Sequence, residues 1–300
     1  MSKWPEITCH AGLLPELEDL WHKGMPPGDK TGWPSVDKHY SVVPGQLTIL
    51  TGWPGSGKSE WLDALLVHLM HQDWKVAIFS PENQPLVLHA AKLLEKVSGK
   101  PFGRGPTERL TIKDIRELSV DLLGGRIAFV RAPDEGARTA QNVIDAAQPW
   151  LDNFVGKKRG LVIDPWNELE HWCPPGLSET LYISQQLSLV RNWARQNDVH
   201  VWIVAHPQKV RREDGKLPVP RPDMIAGSQH WWNKADCAIT VWRDMENPEN
   251  QTVDIHVQKV RFKHVGRPGV VSLRYDRVTG RYHEIPNLRE VANYRNKGDE

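Results

Sequence analysis

A glycine-rich segment of the sequence lies between two apolar runs. Residues 52–59 read Gly-Trp-Pro-Gly-Ser-Gly-Lys-Ser and fit the pattern G-x-x-x-x-G-K-[ST]. The flanking runs are typical of a strand before it and a helix after it, which is the context a phosphate-binding loop requires. Its glycines let backbone N–H groups converge on phosphate oxygens, and the start of a helix adds partial positive charge. The predicted nucleotide-binding residues are Gly52, Trp53, Pro54, Gly55, Ser56, Gly57, Lys58 and Ser59.

A carboxylate for Mg²⁺ follows another apolar run. In a phosphate-binding loop the lysine, here Lys58, contacts the β- and γ-phosphates, and the next residue, Ser59, binds Mg²⁺. Residues 160–163 predict a buried strand that leads directly to Asp164. Because the carboxyl ends of parallel strands meet at one edge of a sheet, Asp164 is expected beside the loop and could complete the Mg²⁺ site. The structural alternative is an aspartate that only caps the next turn.

The apolar run 76–80 leads to Glu82, a candidate for polarising the attacking water. This run predicts the strand that comes after the phosphate-loop helix, so Glu82 is expected to face the γ-phosphate. Glu168 and Glu170, which come just after Asp164, are competing candidates. Asp164 is followed by proline rather than by glutamate, and this favours Glu82. Glu82 could also be only an acidic residue at the start of the next helix.

A histidine follows the apolar run 201–205. His206 is expected at the same sheet edge, where it could hydrogen-bond the γ-phosphate and report its loss. A histidine at a strand end is often only a hydrogen-bonding residue. Three neighbouring strand ends already carry candidate phosphate-binding or catalytic groups, so the sequence favours the sensor.

Lys259 and Arg261 end a run in which apolar and polar residues alternate. Side chains two residues apart share a face of a regular strand, so Ile255, Val257, Lys259 and Arg261 are expected on one face. The guanidinium fork of arginine matches phosphate oxygens and its charge is permanent, so the pair could reach a phosphate in an adjoining active site. The alternative is a solvated basic edge strand.

A basic stretch lies downstream of His206, in residues 207–223. A loop of this length is usually functional or disordered, and this one could couple hydrolysis to a polyanion or be a solvated flap. The basic residues within it that could contact a polyanion are Lys209, Arg211, Arg212 and Lys216. Further on, Trp231 and Trp232 could stack on single-stranded nucleic acid, or pack in the core or at a subunit contact.

Alternating strand and helix patterns position these residues. Continuous apolar strands separated by helices predict a mostly parallel sheet with helices on both faces, and the last strands predict an antiparallel extension. The fold class is therefore α/β, of the P-loop NTPase kind. The predicted strands are 46–51, 76–80, 127–131, 160–164, 200–205, 238–242, 252–262, 270–274 and 282–285. The predicted helices are 14–22, 58–71, 85–97, 111–123, 139–154 and 178–196.

Length, charge and composition exclude several classes of protein. The 300 residues include 38 basic and 37 acidic ones, so a net charge of +1 provides no global field for nucleic acid. Apolar runs are far shorter than the ~20 residues of a membrane-spanning helix. Neither a signal core nor a mitochondrial targeting segment is recognised, and we expect a cytoplasmic protein. The chain has three cysteines, Cys9, Cys173 and Cys237. They are too few and too far apart in sequence to predict a disulfide framework or a four-ligand zinc site.

The chain divides by pattern into three parts. Residues 1–30 form an arm with one short helix, either packed on its own domain or docked on a neighbouring subunit. Residues 31–286 form the nucleotide-binding domain, and residues 287–300 form a polar tail.

In this order the residues resemble the RecA-like motor domain of the DnaB family (superfamily 4) of hexameric replicative helicases, with most similarity to Twinkle and phage primase-helicases. The resemblance covers roughly residues 28–285. Its most specific segments are 31–37 with 44–48, 80–82, 205–207, 227–228 with 235–236, and 259–261 with 275–280.

The resemblance implies a role for each candidate. It makes Glu82 the catalytic base, Lys58 the phosphate ligand, Ser59 and Asp164 the Mg²⁺ ligands, and His206 the link between γ-phosphate and the DNA-binding loop. It also makes Arg261 an arginine finger that enters the next subunit's site, with Lys259 beside it. The placing of Arg243 and Tyr275 on either side of the nucleotide base comes from the resemblance alone. The resemblance further implies that the basic residues of the stretch after His206 are DNA-binding: Lys209, Arg211, Arg212 and Lys216.

The function implied is an ATP-driven DNA helicase that translocates on single-stranded DNA as a homo-oligomeric, hexameric ring, with primase or polymerase as candidate partners and 5′-to-3′ polarity. Two alternatives stay open: a RecA/RadA-type recombinase-like ATPase, and a nucleotide-gated loader or scaffold with little turnover. The chain could be a stand-alone helicase or a piece of a longer primase-helicase.

Overall fold

The computed structural model of the protein describes residues 10–131, 138–208, 217–225, 229–247 and 249–286. In that part of the chain nine strands form one sheet, in the order β3-β2-β4-β5-β1-β6-β7-β8-β9. The strands are β1 (Leu47–Thr51), β2 (Lys75–Phe79), β3 (Ile127–Phe129), β4 (Arg159–Ile163), β5 (Val199–Val204), β6 (Cys237–Trp242), β7 (Thr252–Val260), β8 (Gly269–Tyr275) and β9 (Tyr282–Glu284).

Eight α-helices are found in the same described ranges. They are α1 (His10–Lys23), α2 (Pro34–Asp37), α3 (Lys58–Met70), α4 (Leu86–Ser98), α5 (Ile112–Leu123), α6 (Ala140–Leu151), α7 (Glu179–Asn197) and α8 (His230–Lys234). Short 3₁₀ helices lie at Asp152–Phe154, Trp166–Glu168 and Pro222–Met224. None of the helices described is long and apolar enough to cross a membrane.

The sheet has a parallel part and an antiparallel part. Strands β3, β2, β4, β5, β1 and β6 pair in parallel, whereas β7, β8 and β9 pair antiparallel with their neighbours. Parallel pairs need long crossovers, which the helices provide, while the last three strands are joined by short connections. The predicted fold class is confirmed, including its antiparallel extension.

Two apolar cores cover the two faces of the sheet. One face packs against α3, α4 and α5 through side chains such as Trp61, Leu93 and Leu122. The other face packs against α6 and α7 through Val143 and Leu187. The central strands β1, β4 and β5 are buried at every position rather than at alternate ones, as expected for parallel strands covered on both faces.

A β-bulge overturns the predicted register of Lys259. Val257 pairs with Ile239, but Lys259 pairs with Ala238, so Gln258 is an extra residue on β7. Ile239 belongs to one core and Ala238 to the core on the opposite face. Lys259 therefore lies on the face opposite to Val257. The expectation that the two residues share a face was wrong, because strict alternation holds only for a regular strand.

Helix α1 carries a stripe of exposed apolar side chains. Leu17 is 55% exposed and Trp21 is 80% exposed. No part of the chain that the structure describes covers this stripe. The predicted division into an arm, a domain and a tail is not tested by this arrangement, and residues 1–9 and 287–300 lie outside the described ranges.

Candidate functional site

The glycine-rich loop connects β1 to α3 at the carboxyl edge of the parallel strands. A Cβ atom at Gly52 would collide with the carbonyl oxygen of Val241 on the neighbouring strand, so only glycine fits there. Gly57, directly before α3, has a φ of +95°, which disfavours residues that carry a Cβ atom. The loop is therefore bent tightly over the start of α3, as a phosphate-binding loop must be.

Lys58 lies in the first turn of α3 and folds back over the loop. Its Nζ donates hydrogen bonds to the carbonyl oxygens of Gly52 at 3.0 Å and Trp53 at 3.1 Å. Burial lowers the pKa of Lys58 to about 8, and the negative charges of Asp164 and Glu82 oppose this shift. The structure thus brings Lys58 close to both predicted carboxylates.

Ser59 and Asp164 meet at the end of β4. The Ser59 hydroxyl hydrogen-bonds the Asp164 carboxylate, which is 5% exposed. Burial raises the pKa of Asp164 to about 6, an effect that the Ser59 hydrogen bond opposes and the charges of Asp63 and Glu82 increase. A hydroxyl and a carboxylate are hard oxygen donors of the kind Mg²⁺ prefers, and Mg²⁺ commonly takes few protein ligands together with phosphate oxygens. Accordingly, no group of three or more acidic, His or Cys side chains suited to a metal is found among the described residues.

Glu82 and His206 face each other beside this pair. His206 Nε2 lies 3.7 Å from Glu82 Oε1, and Glu82 is half exposed. Burial and the positive charge of Lys58 lower the pKa of His206, whereas the charges of Glu82 and Glu168 raise it. Of the competing acids, Glu168 is thus near His206. The backbone N–H of Glu170 donates to the carbonyl oxygen of Arg138, which lies just before α6.

Three polar residues near the loop were not predicted from the sequence. Asn167 accepts a hydrogen bond from the His206 backbone N–H at 2.9 Å. Asp63 on α3 is paired with His89 on α4, whose Nε2 lies 3.0 Å from Asp63 Oδ1. Both side chains of that pair are buried, and the charge of Asp63 acts on Asp164. The signal that could have found Asp63 is its spacing, because an acid four residues after Ser59 lies on the same face of the helix.

Arg243 and Tyr275 lie on the flank of the glycine-rich loop. Arg243 Nη2 donates to the Gly55 carbonyl oxygen at 3.2 Å. The Tyr275 ring lies 5.0 Å from the ring of Tyr282, whose hydroxyl donates to the Gly57 carbonyl oxygen. Burial raises the pKa of Tyr275 to about 12, so it stays a neutral aromatic surface. Arg243 thus contacts the loop directly, and Tyr275 is linked to it through Tyr282.

Lys259 and Arg261 lie at the opposite edge of the sheet from the loop. Because β7 runs antiparallel to β6, it ends where β1 and β6 begin. A five-residue strand such as β1 spans about 16 Å, so Arg261 cannot reach the phosphate loop of its own chain. Lys259 Nζ donates to the Trp232 carbonyl oxygen at 2.5 Å, and Arg261 forms an ion pair with Asp236.

The basic stretch is described only at its ends. The predicted DNA-binding residues lie outside the described residues: Lys209, Arg211, Arg212 and Lys216. Pro207 and Ile225 form a β-bridge that brings the two ends of the stretch together. Trp53 Nε1 donates to the Pro218 carbonyl oxygen at 2.8 Å, which joins the glycine-rich loop directly to this stretch.

The two adjacent tryptophans have different surroundings. Trp231 is 1% exposed and packs edge-on against Trp166, with ring centroids 5.3 Å apart, so it is a core residue. Trp232 is flanked by the cations of Arg221, at 5.4 Å from the ring, and Lys259, at 5.9 Å. The interpretation that Trp231 stacks on a nucleic acid is thereby excluded.

Comparisons with known proteins agree with this geometry. The chain is 39% identical over 267 residues to the chloroplastic/mitochondrial Twinkle homolog protein of Arabidopsis thaliana, a match that covers 86% of this chain. The chain spans 37% of the length of that relative. The search against protein-family models found no match.

Solved structures share the fold at low sequence identity. The ATPase domain of a phage protein superimposes with a TM-score of 0.77 at 17% identity, covering 94% of this chain and all of that one. A DnaB-like replicative helicase, in a structure that describes its interactions with primase, gives a TM-score of 0.73 at 18% identity and covers 93% of this chain and 69% of that one. The RadB recombinase superimposes with a TM-score of 0.53 at 15% identity, covering 86% of this chain and 99% of that one.

The two kinds of comparison support one assignment. The sequence match reaches across most of the chain, and the superpositions establish a RecA-like fold. The glycine-rich loop with Lys58 and Ser59, the carboxylate of Asp164 and the antiparallel strand before Arg261 are the features expected from the family resemblance. The chain is therefore similar in sequence to the Twinkle homolog of Arabidopsis over most of its own length, and it has the RecA-like fold that the phage ATPase domain and the DnaB-like helicase share.

Proposed function

We propose that this chain is the ATPase motor of a DNA helicase that works as a ring. The observation that supports the proposal is that the candidate residues lie at two opposite edges of one sheet. The groups that handle the triphosphate and water meet at the carboxyl edge, while Arg261 lies at the amino edge. A subunit then needs a neighbour to complete its site.

The carboxyl edge has the parts for hydrolysis of ATP. Lys58 neutralises phosphate charge, and Ser59 and Asp164 hold Mg²⁺. When bound, Mg²⁺ stabilises the negative charge that develops on the phosphate oxygens. Glu82 orients the attacking water as general base, and His206, beside Glu82, responds to the γ-phosphate. Arg243 and Tyr275 lie on either side of the nucleobase of ATP.

The amino edge supplies the finger to the next subunit. A head-to-tail contact between copies places the amino edge of one against the carboxyl edge of another, and such contacts close into rings when the rotation allows. A guanidinium entering from a neighbour stabilises the transition state, as arginine fingers do. We propose a hexamer, with α1 and residues 1–30 as an arm that contacts a neighbour through its exposed stripe.

Single-stranded DNA is the proposed substrate of the motor. The proposal draws on the family and on the hydrogen bond from Trp53 to Pro218, which ties the nucleotide loop to the basic stretch. Lys209, Arg211, Arg212 and Lys216 are the proposed phosphate contacts, and primase is a proposed partner. A cytoplasmic location stays a prediction, since the relative in Arabidopsis is named chloroplastic/mitochondrial.

A recombinase-like ATPase is the second candidate. The RadB recombinase shares the fold over most of this chain, although with a lower TM-score than the phage ATPase domain and the DnaB-like helicase. Recombinases form filaments rather than closed rings, so the geometry of the assembly separates the two functions.

Assembly and unwinding test the proposal together. We expect particle mass and electron microscopy to show closed rings with Mg²⁺, a non-hydrolysable ATP analogue and single-stranded DNA, and we expect a forked duplex to be unwound only with ATP. Lys58→Ala is the matched control, which should assemble but not unwind. Open filaments with strand exchange would support the recombinase, and rings with neither turnover nor unwinding would support a loader or scaffold.

A further inference from the structure

Asp236 is a fully buried carboxylate at the amino edge of the sheet, between α8 and β6. Its Oδ1 lies 2.9 Å from Arg261 Nε and 3.0 Å from Arg195 Nη2. Its Oδ2 accepts a hydrogen bond from the Leu47 backbone N–H at 3.0 Å. Both oxygens of this carboxylate thus accept from donors, and two of the donors are cationic, which is the condition for burying a charge.

The backbone of Asp236 is fixed as firmly as its side chain. Its N–H donates to the Leu47 carbonyl oxygen, and its own carbonyl oxygen accepts from the Arg261 backbone N–H, both at 2.8 Å. Leu47 is the first residue of β1, and the opposite end of β1 leads into the glycine-rich loop. Asp236 therefore joins Arg261 to the strand that carries this chain's own phosphate loop.

These contacts set the orientation of the Arg261 guanidinium. Nε is bound to Asp236, and Nη2 donates to the carbonyl oxygens of Asn233 at 3.1 Å and Ala235 at 3.3 Å. Within the described part of the chain, Nη1 donates no hydrogen bond to a protein group. One nitrogen thus stays available for a phosphate oxygen while the other two hold the planar group still.

The surroundings of Asp236 contain more positive than negative charge. Four cationic side chains act electrostatically on this carboxylate or on one another: Arg191, Arg195, Lys259 and Arg261. Burial lowers the pKa of Lys259, and the nearby charge of Arg261 lowers it further. Such an excess suits a surface that receives an anion from outside the chain.

We infer that Asp236 is a positioning residue that holds Arg261 for the active site of the neighbouring subunit. This inference rests on the proposed function. Asp236 is fully buried, so its proposed effect on a neighbour's nucleotide passes through Arg261 and not through direct contact. The competing explanation is a purely structural role in which Asp236 only ties β6 to β1.

Asp236→Asn tests the inference, because it keeps the shape of the side chain and removes its charge. We expect kcat of the assembled ring to fall about 100-fold, since a displacement of about 1 Å in a catalytic group has an effect of that size. The KM for ATP should stay within about twofold, because the phosphate loop at the other sheet edge is unaltered. A purely structural role would change kcat, KM and the melting temperature together.

Mixing two inactive variants gives a second readout. Lys58→Ala lacks a working loop but keeps Arg261, and Asp236→Asn keeps its loop but misplaces Arg261. In randomly mixed rings about one site in four combines a working loop with a working finger, because each site is shared by two copies. ATPase activity should therefore recover on mixing, and no recovery would overturn the inference.

Control mixtures separate this inference from the proposed function. If Arg261→Ala mixed with Lys58→Ala also fails to recover, the shared active site itself is wrong. If that pair recovers and Asp236→Asn alone has a normal kcat, only the role of Asp236 is wrong. Should Asp236→Asn fail to fold, Asp236→Glu, which keeps the charge but moves it by one methylene, must lower kcat without raising KM, and a normal kcat for it overturns the inference.

Discussion

Buried charged groups have different surroundings at the two edges of the parallel sheet. At the carboxyl edge, burial shifts the pKa of Lys58 down to about 8 and that of Asp164 up to about 6. Both shifts disfavour the charged forms. At the amino edge, two arginines and a backbone N–H surround the Asp236 carboxylate. The first edge is arranged to gain from a charged ligand, and the second is arranged to hold a side chain still.

This difference is the physical basis of the proposal that an active site combines two copies of the chain. A phosphate loop functions when its charges complement those of a bound nucleotide. Part of the stability of the folded loop is therefore gained only when the nucleotide binds. A finger works when it is already oriented before the phosphate arrives. The phosphate loop and Arg261 lie at opposite ends of β1, so in the proposed ring a second copy brings them together.

Removal of the finger should give the largest effect. We expect Arg261→Ala to lower the ATPase rate of the ring about 10³-fold or more, because the transition-state charge loses its partner from the neighbour. Steady-state ATPase assays on rings of verified mass measure this. Lys263→Ala, which removes an exposed cation two residues further on, is the control and should change the rate little. A normal rate for intact Arg261→Ala rings would remove the amino edge from catalysis.

Replacement of the proposed base should have the next largest effect. Glu82→Gln is expected to lower kcat about 10²- to 10⁴-fold, since an amide cannot accept the proton of the attacking water. Nucleotide binding should be retained and can be measured with a fluorescent analogue. Glu168→Gln is the matched control, because Glu168 is also near His206. A larger loss in that control would make Glu168 the base.

Acid pH should lower the free energy of unfolding through a buried histidine, His200. His200, on β5, is fully buried between the Val43 carbonyl oxygen and the Thr48 hydroxyl. Burial lowers the pKa of His200 from 6.5 to about 4, so the unfolded chain takes up the proton first. Stability from this group is complete above pH 6.5 and is lost as the pH falls from 6.5 toward 4. The loss in unfolding free energy should be about 3 kcal/mol in all.

Urea unfolding at a series of pH values measures this loss. His200→Gln, which keeps a donor and an acceptor but does not titrate, should unfold with a flatter pH dependence over the same range. An equally steep dependence in the variant would show that other groups of the sheet are responsible.

Nucleotide affinity should respond to pH in a limited way at the other edge. Asp164 loses its negative charge as the pH falls through about 6, and Lys58 loses its positive charge as the pH rises through about 8. Affinity for Mg²⁺-ADP is therefore expected to be highest between these values and to fall by up to about tenfold per pH unit outside them. Lys58→Met should bind more weakly at all pH values and show no alkaline decrease in affinity.

The elements and the carboxyl edge were largely predictable from the sequence. Apolar runs located the strands to within two residues at most boundaries, because burial on both faces leaves little room for polar side chains. The glycine-rich loop and Asp164 were found because each follows such a run directly. The structure places both next to Glu82 and His206, as the sheet topology requires.

Other features depended on side-chain partners that no local pattern reveals. The bulge at Gln258 moved Lys259 to the other face, because pairing with β6 rather than alternation decided its register. Trp231 is apolar enough for either a surface stack or the core, and contact with Trp166 placed it in the core. Asp63 and His89 lie 26 residues apart in the chain, so their pairing arises only from the packing of α3 on α4.

The sequence by itself determined which strands form, where their ends lie and which residues could bind phosphate, since these depend on local burial and on the geometry of one loop. Only the tertiary structure decided which face Lys259 occupies and which side chains hold each candidate in place. Asp236 shows the reason: its neighbours Leu47 and Arg195 are 189 and 41 residues away in sequence. A buried charge is stabilised by whatever donors the fold assembles around it, and chain order does not contain that information.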